Sequence, residues 1–398
     1  MSVSSRARTP GLKLTPLERR ASLSLAALFA ARMLGLFLLT PIFAVAATSL
    51  VGGDDPARVG LALGAYGLTQ AILQIPLGMA SDRYGRRPVI VFGMLLFVMG
   101  GIVCALAESV DGVTVGRVIQ GLGAVSAAIT AWIADATRPE VRTRAMAMVG
   151  GSIGISFALS LVLSPLLVGE FGLSGLFWAI SLLGFVCLLI AMFFVPDVPR
   201  SEADIVQATA HDVLAHKDLL RLNFGVFCLH FILMAIFMVA PGLLGRLGDF
   251  DSSSLWQVYL PVILLSFIFM VPAVFYTETR KAHKGALEWA VLGLVVVLGI
   301  LPWLEGSFYL VAAALVGFFV AFNILEALQP SLVSRVAPAS YKGLALGFYN
   351  TAQSLGVFGG GVLGGMLVRW GGSAAVFWVS AMLAVVWLYT ARGFRDPR

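Results

Sequence analysis

The chain has 398 residues, of which 59% are hydrophobic and only 12% are charged. Ordinary globular chains hold roughly 45–50% hydrophobic and about 25% charged residues, so this composition excludes a soluble enzyme of two or three domains. A bilayer crossing needs about 20 apolar residues, and the hydrophobic residues suffice for a dozen crossings. The net charge of +6 is therefore interpreted through its placement along the chain, and nucleic acid is not expected as a partner.

Apolar runs long enough to span a bilayer occupy both halves of the chain. In the first half they lie at about 23–47, 59–80, 88–107, 112–134, 144–168 and 174–195. In the second half they lie at about 222–244, 255–276, 286–304, 307–333, 343–368 and 372–391. The sequence predicts an all-α integral membrane protein with twelve transmembrane helices in two pseudo-symmetric six-helix bundles, 1–195 and 221–398, joined by a cytoplasmic linker at 196–220.

The placement of the basic residues predicts the orientation of the chain in the membrane. If the N-terminus is cytoplasmic, the inward-facing loops hold 22 of the 27 Lys and Arg residues, and the outward-facing loops hold only Arg58, Arg246 and Arg369. Such an excess is typical of cytoplasmic loops. We therefore expect a multi-pass protein with both termini in the cytoplasm.

Two short polar segments repeat at nearly the same offset, which supports the division into halves. The segment 82–87 recurs in degenerate form at 278–281, and 138–142 is echoed at 337–342. Parallel repeats are typical of secondary transporters of this size. Within the linker, 205–220 could form a short amphipathic helix or a solvated loop, and the sequence leaves both open.

The loop between the second and third predicted spans has the spacing of a charged latch. Its glycines permit close approach and positive φ angles. Its Arg86 needs an acidic partner, for which Asp135 at the end of the fourth span is the candidate. The predicted latch comprises Gly78, Asp82, Arg83, Gly85, Arg86, Arg87, Asp135 and Arg142. The alternative is an ordinary basic loop on the cytoplasmic face.

The loop 78–87 reads GMASDRYGRR and resembles the signature G-x-x-x-D-R-x-G-R-[RK] of the major facilitator superfamily. The segment 117–124, RVIQGLGA, is similar to a second motif of that superfamily. More narrowly, 32–37, 223–230 and 322–327 resemble YajR-type drug–proton antiporters. The resemblance implies the superfamily's fold and a transporter of the bacterial inner membrane, and we expect a monomer. Members of this group can carry a C-terminal soluble domain, which is not expected here.

The fifth predicted span departs from the pattern of proven exporters in the superfamily. Those proteins have a glycine-rich run that ends in G-P-x-x-G-G, whereas this chain reads GGSIG at 150–154 and SPLL at 164–167. The partial motif favours antiport over symport without deciding between them. A kinked helix with small residues at a packing face is the alternative interpretation.

Ionisable residues inside apolar spans are the best indicators of coupling, because a charge at the bilayer centre costs about 2.5–3.5 kcal/mol on insertion scales. Glu326 in the tenth span and His230 in the seventh lie at similar depth. We expect Glu326 to carry the proton and His230 to be its partner or relay. The alternative is a static polar contact between two helices, completed by Asn323 and Gln329.

Two arginines lie inside predicted spans of the first half. Arg32 is expected to contribute to proton coupling, by attracting an anionic group or by acting on a nearby acid, and a structural cation is the alternative. Arg117 is a candidate for proton access, as the resemblance implies, or a structural side chain that snorkels to the interface. Gln120 and Asn323 are further candidates for the transport pathway.

Glycines at 356–365 in the eleventh predicted span are expected to permit close helix packing. This run contains G-x-G-x-x-G, but no strand precedes it, so a dinucleotide site is not expected. The three cysteines lie in apolar segments without the spacing of metal ligands. We expect neither a metal nor any other cofactor.

These features together predict a proton-coupled secondary transporter, and not an enzyme, that exports small amphipathic, drug-like compounds by alternating access. A proton-coupled carrier of sugars, nucleosides or other metabolites is the first alternative, and a non-transporting membrane sensor is the second. An intramembrane enzyme is disfavoured because the sequence has no H-E-x-x-H motif and no compact pair of carboxylates at a convincing spacing. The expected partners are a small-molecule substrate, protons and the lipid bilayer.

Overall fold

A computed structural model describes residues 14–123, 125–196, 210–338 and 341–395, without the side chains at 139, 140, 142–144, 147 and 150. Among these residues, ten helical segments are long and apolar enough to cross a membrane. Two of the ten, Gly151–Phe194 and Lys342–Arg392, have 44 and 51 residues, which is enough for two crossings each.

Helices form the framework of both halves of the chain. Those of the first half are Pro16–Phe37, Phe43–Ala46, Pro56–Tyr84, Arg86–Leu106, Val110–Leu122, Ser126–Asp135 and Pro139–Leu189. Those of the second half are Ala210–Leu214, Lys217–Phe237, Ala240–Gly248, Trp256–Arg280, His283–Leu304, Phe308–Val336 and Lys342–Arg392. Short turns of 3₁₀-helix at Ala47–Ser49 and Ser252–Ser254 and of π-helix at Ile190–Phe194 complete the set.

A single glycine divides each of the two longest helices into two spans. Gly172 has a φ of 68° and Gly372 has a φ of 66°, and these glycines lie 200 residues apart in the chain. Only glycine adopts this backbone conformation without a steric penalty. The connections predicted between the fifth and sixth spans and between the eleventh and twelfth spans are therefore sharp breaks. Ten helical segments thus provide twelve spans in two six-helix bundles, as predicted.

Two boundaries differ from the prediction because helices continue into polar sequence. The first span begins at Pro16 and not near 23, because Thr15 and Glu18 form a reciprocal capping box. The seventh span begins at Lys217, inside the predicted linker, where the Asp218 carboxylate accepts a hydrogen bond from Arg221 at 2.7 Å. The helix Ala210–Leu214 ends before it, so 205–220 is not one continuous amphipathic helix.

The two ends of the bundle differ in charge, and we name them accordingly. Among the described residues, the basic end contains the loop at 82–87, the start of the seventh span and the first and last described residues. The acidic end as described contains three basic residues, at 58, 246 and 369, beside a larger set of acids: Asp54, Asp55, Glu108, Asp111, Glu170, Asp249, Asp251 and Glu305.

The eleventh span uses its glycines to pack on both sides, as its spacing predicted. One face contacts the seventh span of the same half, where a Cβ atom added to Gly364 would lie 2.9 Å from the Cα of Ala235. The other face contacts the second span of the opposite half, where a Cβ atom added to Gly361 would lie 2.7 Å from the carbonyl oxygen of Gly60. Side chains would not fit at either contact, so the backbones touch directly.

Candidate functional site

A small cavity lies between the two halves of the bundle. Its volume is about 70 Å³, which holds a few water molecules but no drug-sized compound. Both halves contribute residues to its wall: Phe29, Met33, Leu36, Phe37, Thr40, Tyr66, Gly67, Gln70, Arg117, Ser126 and Ile153 from the first, and His230, Leu233, Met234, Asn350, Gln353, Ser354 and Val357 from the second.

The halves close together at the acidic end. Besides the glycine contact of the second and eleventh spans, Arg369 lies 3.3 Å from Asp55. The Tyr259 hydroxyl donates to the carbonyl oxygen of Pro41 at 3.1 Å. Both contacts join one half to the other, so the cavity is sealed from this side.

The basic end is more open between the same spans. A Cβ atom added to Gly343 or Gly347, at the basic end of the eleventh span, would meet nothing described within 4 Å. The same holds for Gly151 and Gly154 in the fifth span. The backbone contact of the eleventh span with the second span thus lies toward the acidic end, and the glycines at the basic ends of the fifth and eleventh spans make no such contact with described residues.

His230, one of the residues predicted to couple protons, lines this cavity, and Glu326 lies beside it. His230 is 3% exposed, and its Nε2 atom lies 3.6 Å from the Glu326 carboxylate, which is 21% exposed. The Nε2 atom is also 2.7 Å from Nε2 of Gln353, in the eleventh span. The Nδ1 atom lies 3.1 Å from the carbonyl oxygen of Val226. Three spans of the second half therefore converge on one imidazole ring.

Several buried polar atoms of the second half have no hydrogen-bond partner among the described residues. One carboxylate oxygen of Glu326, both amide atoms of Gln329 and the hydroxyl of Tyr349 are buried in this state. Asn323, predicted to join this group, instead donates to the Ser266 hydroxyl at 3.0 Å. The sequence left open a static contact that Asn323 and Gln329 complete; in the structure His230 and Glu326 do join two helices, and Asn323 contacts Ser266 instead of this pair.

Arg32 is fully buried and is held by neutral groups. Its two terminal nitrogens donate to the Ser126 hydroxyl at 2.7 Å and to the Tyr66 hydroxyl at 2.6 Å. These partners belong to the fourth and second spans, so the guanidinium ties three spans of the first half together. Both partners are side-chain hydroxyls, and backbone carbonyls are not among its described partners.

Arg117 is also buried, at 2% exposure, beside the Tyr66 ring. It donates to the side-chain oxygen of Gln120 at 3.0 Å, and its guanidinium carbon lies 4.8 Å from the centre of the Tyr66 ring. It does not snorkel, because it lines the cavity. The first half thus holds two buried positive charges whose described partners are neutral, and one of them, Arg117, lines the cavity.

Arg86 is the centre of the predicted latch in the structure. Its Nε atom donates to Asp135 at 2.9 Å, Nη1 donates to the Ser81 hydroxyl at 2.7 Å, and Nη1 also forms an ion pair with Asp82. Gly85, with a φ of 102°, supplies the turn that starts the third span beside these groups. The second half has a counterpart at the same end, where Arg335 donates to Glu278 at 2.7 Å.

The other predicted latch residues have separate contacts. Arg87 donates to the carbonyl oxygen of Val195 at 2.6 Å, Arg83 lies over the ring of its neighbour Tyr84, and Gly78 faces the fourth span. The side chain of Arg142 lies outside the described part of the structure. The contacts of Arg86 and Arg87 thus fasten the basic ends of the second, third, fourth and sixth spans to one another.

Replacing Arg86 with alanine should destabilise the protein by about 1–3 kcal/mol, because it leaves the Asp135 carboxylate, which is 21% exposed, without its charged donor. The measurement is the midpoint of thermal unfolding in detergent. Arg83→Ala, which removes a neighbouring charge at the surface, should change the free energy of unfolding by less than about 0.5 kcal/mol. Equal losses for both variants would contradict this role of Arg86.

A further ion pair at the basic end escaped the sequence analysis. Glu18, 7% exposed, accepts hydrogen bonds from the Arg138 side chain at 2.8 Å and from its backbone at 3.1 Å. This pair fastens the start of the first span to the start of the fifth. Glu18 lies ahead of the predicted first span, and only its capping-box spacing from Thr15 signals a structural role.

Twelve spans in two bundles around one inter-half cavity, with ionisable residues on its walls, define the class of secondary transporters. The family model described as Major Facilitator Superfamily matches residues 25–361. The chain belongs to this superfamily.

Individual relatives and structures agree with that assignment. The chain is 42% identical over 390 residues to the inner membrane transport protein YajR of Escherichia coli strain K12, covering 97% of this chain and 85% of that protein. It is 25% identical over 298 residues to the multidrug resistance protein MdtL of Shigella flexneri, covering 73% and 76% respectively. A D-xylose–proton symporter has the same fold, with a TM-score of 0.77 at 16% identity over 95% of this chain and 98% of that one.

Proposed function

We propose that the protein is a proton-coupled antiporter of the bacterial inner membrane that exports small amphipathic compounds by alternating access. The observation that carries this proposal is the His230–Glu326 pair, in which a buried imidazole that lines the cavity between the halves lies 3.6 Å from a carboxylate. Ionisable groups at such depth are costly and serve proton relays in transporters. The relatives named as transport and multidrug resistance proteins are consistent with it.

The basic end is proposed to face the cytoplasm, since basic loops are retained there. Both termini are then cytoplasmic, and the observed conformation is closed to the periplasm and open toward the cytoplasm. In this proposal 1–195 and 221–398 rock as two bodies about the cavity, with 196–220 as the main connection, so one chain suffices. The latch around Arg86 supports the first body when the basic end closes in the outward-facing state.

The cavity favours a cargo without net positive charge. Its apolar wall, with Phe29, Met33 and Phe37 among its members, suits a hydrophobic body. Arg32 and Arg117 place two buried positive charges in the first half, which would repel an organic cation. We therefore propose uncharged amphipathic compounds as the cargo.

Antiport requires that protons and cargo favour opposite states of the same cavity. We propose that a proton entering from the periplasm reaches Glu326 through the outward-open cavity and that His230 shares it. The change of charge weakens the closure of the basic end, and cargo and proton then exchange on the cytoplasmic side. Arg32, Arg117, Gln120 and Asn323 are proposed to shape this pathway.

Inside-out membrane vesicles with an acidic lumen test this function. N-phenyl-1-naphthylamine, an uncharged amphipathic amine, should accumulate in vesicles that contain the protein and leave them when the pH gradient is collapsed. Vesicles from cells without the protein serve as the control. If the compound instead accumulates in right-side-out vesicles, the protein takes it up and does not export it. If the compound shows no gradient-dependent movement in either orientation, the proposed function is contradicted for this cargo.

A further inference from the structure

Gln353 is the polar residue that connects His230 to the cavity, although nothing in the sequence singled it out. It lies in the eleventh span and lines the cavity, as His230 does. The next residue, Ser354, packs its carbonyl oxygen against Gly67 of the opposite half, where an added Cβ atom would lie 2.6 Å from it. Gln353 is thus one residue from the contact that joins the halves.

The hydrogen bonds of His230 fix the orientation of the Gln353 amide. An amide nitrogen only donates, so the 2.7 Å contact between the two Nε2 atoms makes the imidazole nitrogen the acceptor. The imidazole proton then lies on Nδ1, which donates to the carbonyl oxygen of Val226 at 3.1 Å. The amide oxygen of Gln353 is the polar atom left for the cavity.

Protonation of His230 reverses this arrangement. When both ring nitrogens carry protons, Nε2 becomes a donor and can no longer accept from the Gln353 amide. Rotation of the amide by half a turn restores the bond, with the amide oxygen toward the ring and the NH2 group toward the cavity. The ionisable groups nearest to the ring are Glu326 at 3.6 Å, Arg117 across the cavity, and Tyr349 next to Glu326.

We propose that Gln353 is the positioning residue that converts the protonation state of His230 into the hydrogen-bonding character of the cavity wall. When the His230 ring is unprotonated, the Gln353 amide presents its oxygen, an acceptor, to the cargo. When the ring is protonated, the amide presents its NH2 group, a donor. A cargo with an N–H or O–H group therefore binds the unprotonated protein and is released by protonation. Cargo and proton then do not bind at the same time, as antiport requires. This consequence for cargo rests on the proposed function, whereas the orientation of the amide does not.

The ¹⁵N spectrum of the histidine rings tests the orientation without any ligand. The chain has four histidines, and the His230 signal is assigned by its loss in His230→Gln. At about pH 8 the neutral ring should carry its proton on Nδ1. In Gln353→Glu, where a carboxylate can only accept, Nε2 should carry a proton at the same pH. A wild-type ring protonated on Nε2, or an unchanged ring in Gln353→Glu, would overturn the proposal.

The affinity of two matched probes tests the consequence for cargo. N-phenyl-1-naphthylamine has one N–H donor, and 1-phenoxynaphthalene has the same shape with none. Acidification should weaken binding of the amine about tenfold, the scale of one hydrogen bond, and leave the ether unchanged. Gln353→Met should remove this difference. Gln257→Met, which alters an exposed glutamine outside the cavity lining, should retain it.

The outcomes separate this inference from the proposed function. If the amine and the ether respond equally to pH in the unaltered protein, the inference fails even where transport is proton-coupled. If neither probe binds, the proposed cargo class fails, and the ring spectrum alone decides the role of Gln353.

Discussion

Replacing Glu326 with glutamine should abolish proton movement driven by the cargo while leaving exchange of the cargo across the membrane in place. The carboxamide has nearly the shape and hydrogen-bonding capacity of the acid, but it does not take up or release a proton at accessible pH. The substitution also removes the negative charge that lies 3.6 Å from His230 and would balance a protonated imidazole. Proton flux in proteoliposomes that carry a pH-sensitive dye should fall to the level of protein-free liposomes.

Glu288 provides the matched control for this measurement. It lies on the ninth span, 3.8 Å from Lys284, and its side chain is 32% exposed. Glu288→Gln removes the same charge from the same half and should leave the coupled flux unchanged. Equal proton flux in Glu326→Gln and the unaltered protein would reject the carrier role of Glu326.

Replacing Gly361 with valine should stop transport by preventing closure of the acidic end. A Cβ atom at this position would lie 2.7 Å from the carbonyl oxygen of Gly60 and 2.8 Å from the backbone nitrogen of Gly64. Backbone atoms on both sides do not yield as a flexible side chain does, so the second and eleventh spans would separate. Overpacking of this kind costs about 1–3 kcal/mol, and here the cost falls on the closed state.

Labelling from the periplasmic side measures that opening. Thr40 lines the cavity and is 6% exposed in the closed conformation. A cysteine at position 40 should react with a membrane-impermeant maleimide many times faster when Gly361→Val is also present. Gly299→Val, in the ninth span where an added Cβ atom meets nothing described within 4 Å, serves as the control. Unchanged labelling with full transport in Gly361→Val would contradict the closure.

The twelve spans could be predicted because each is a long apolar run, and the bilayer allows few other backbone structures. The points at which the chain turns could not. Gly172 and Gly372 each make a sharp break where the apolar pattern only suggests a loop. Hydropathy also placed the start of the seventh span too late, because a helix that emerges into water continues through polar residues such as Lys217.

Some residues of the site could likewise be predicted from the sequence, and others could not. Glu326 and His230 could be singled out because ionisable groups are rare in apolar sequence. Their neighbour Gln353 carries no charge, and the direction in which an amide points depends on how three spans pack. The same limit applies to Arg32, whose partners Tyr66 and Ser126 lie in other spans and give no signal of their own. Only the fold brings such groups together.

Distances between spin labels at the two ends of the bundle test the central claim most directly. One pair, at positions 84 and 276, reports on the basic end, and a second pair, at 51 and 309, reports on the acidic end; all four side chains are exposed. Acidification should lengthen the first distance and shorten the second, and Glu326→Gln should remove both responses. Equal responses to pH in Glu326→Gln and the unaltered protein would contradict control of alternating access by this proton.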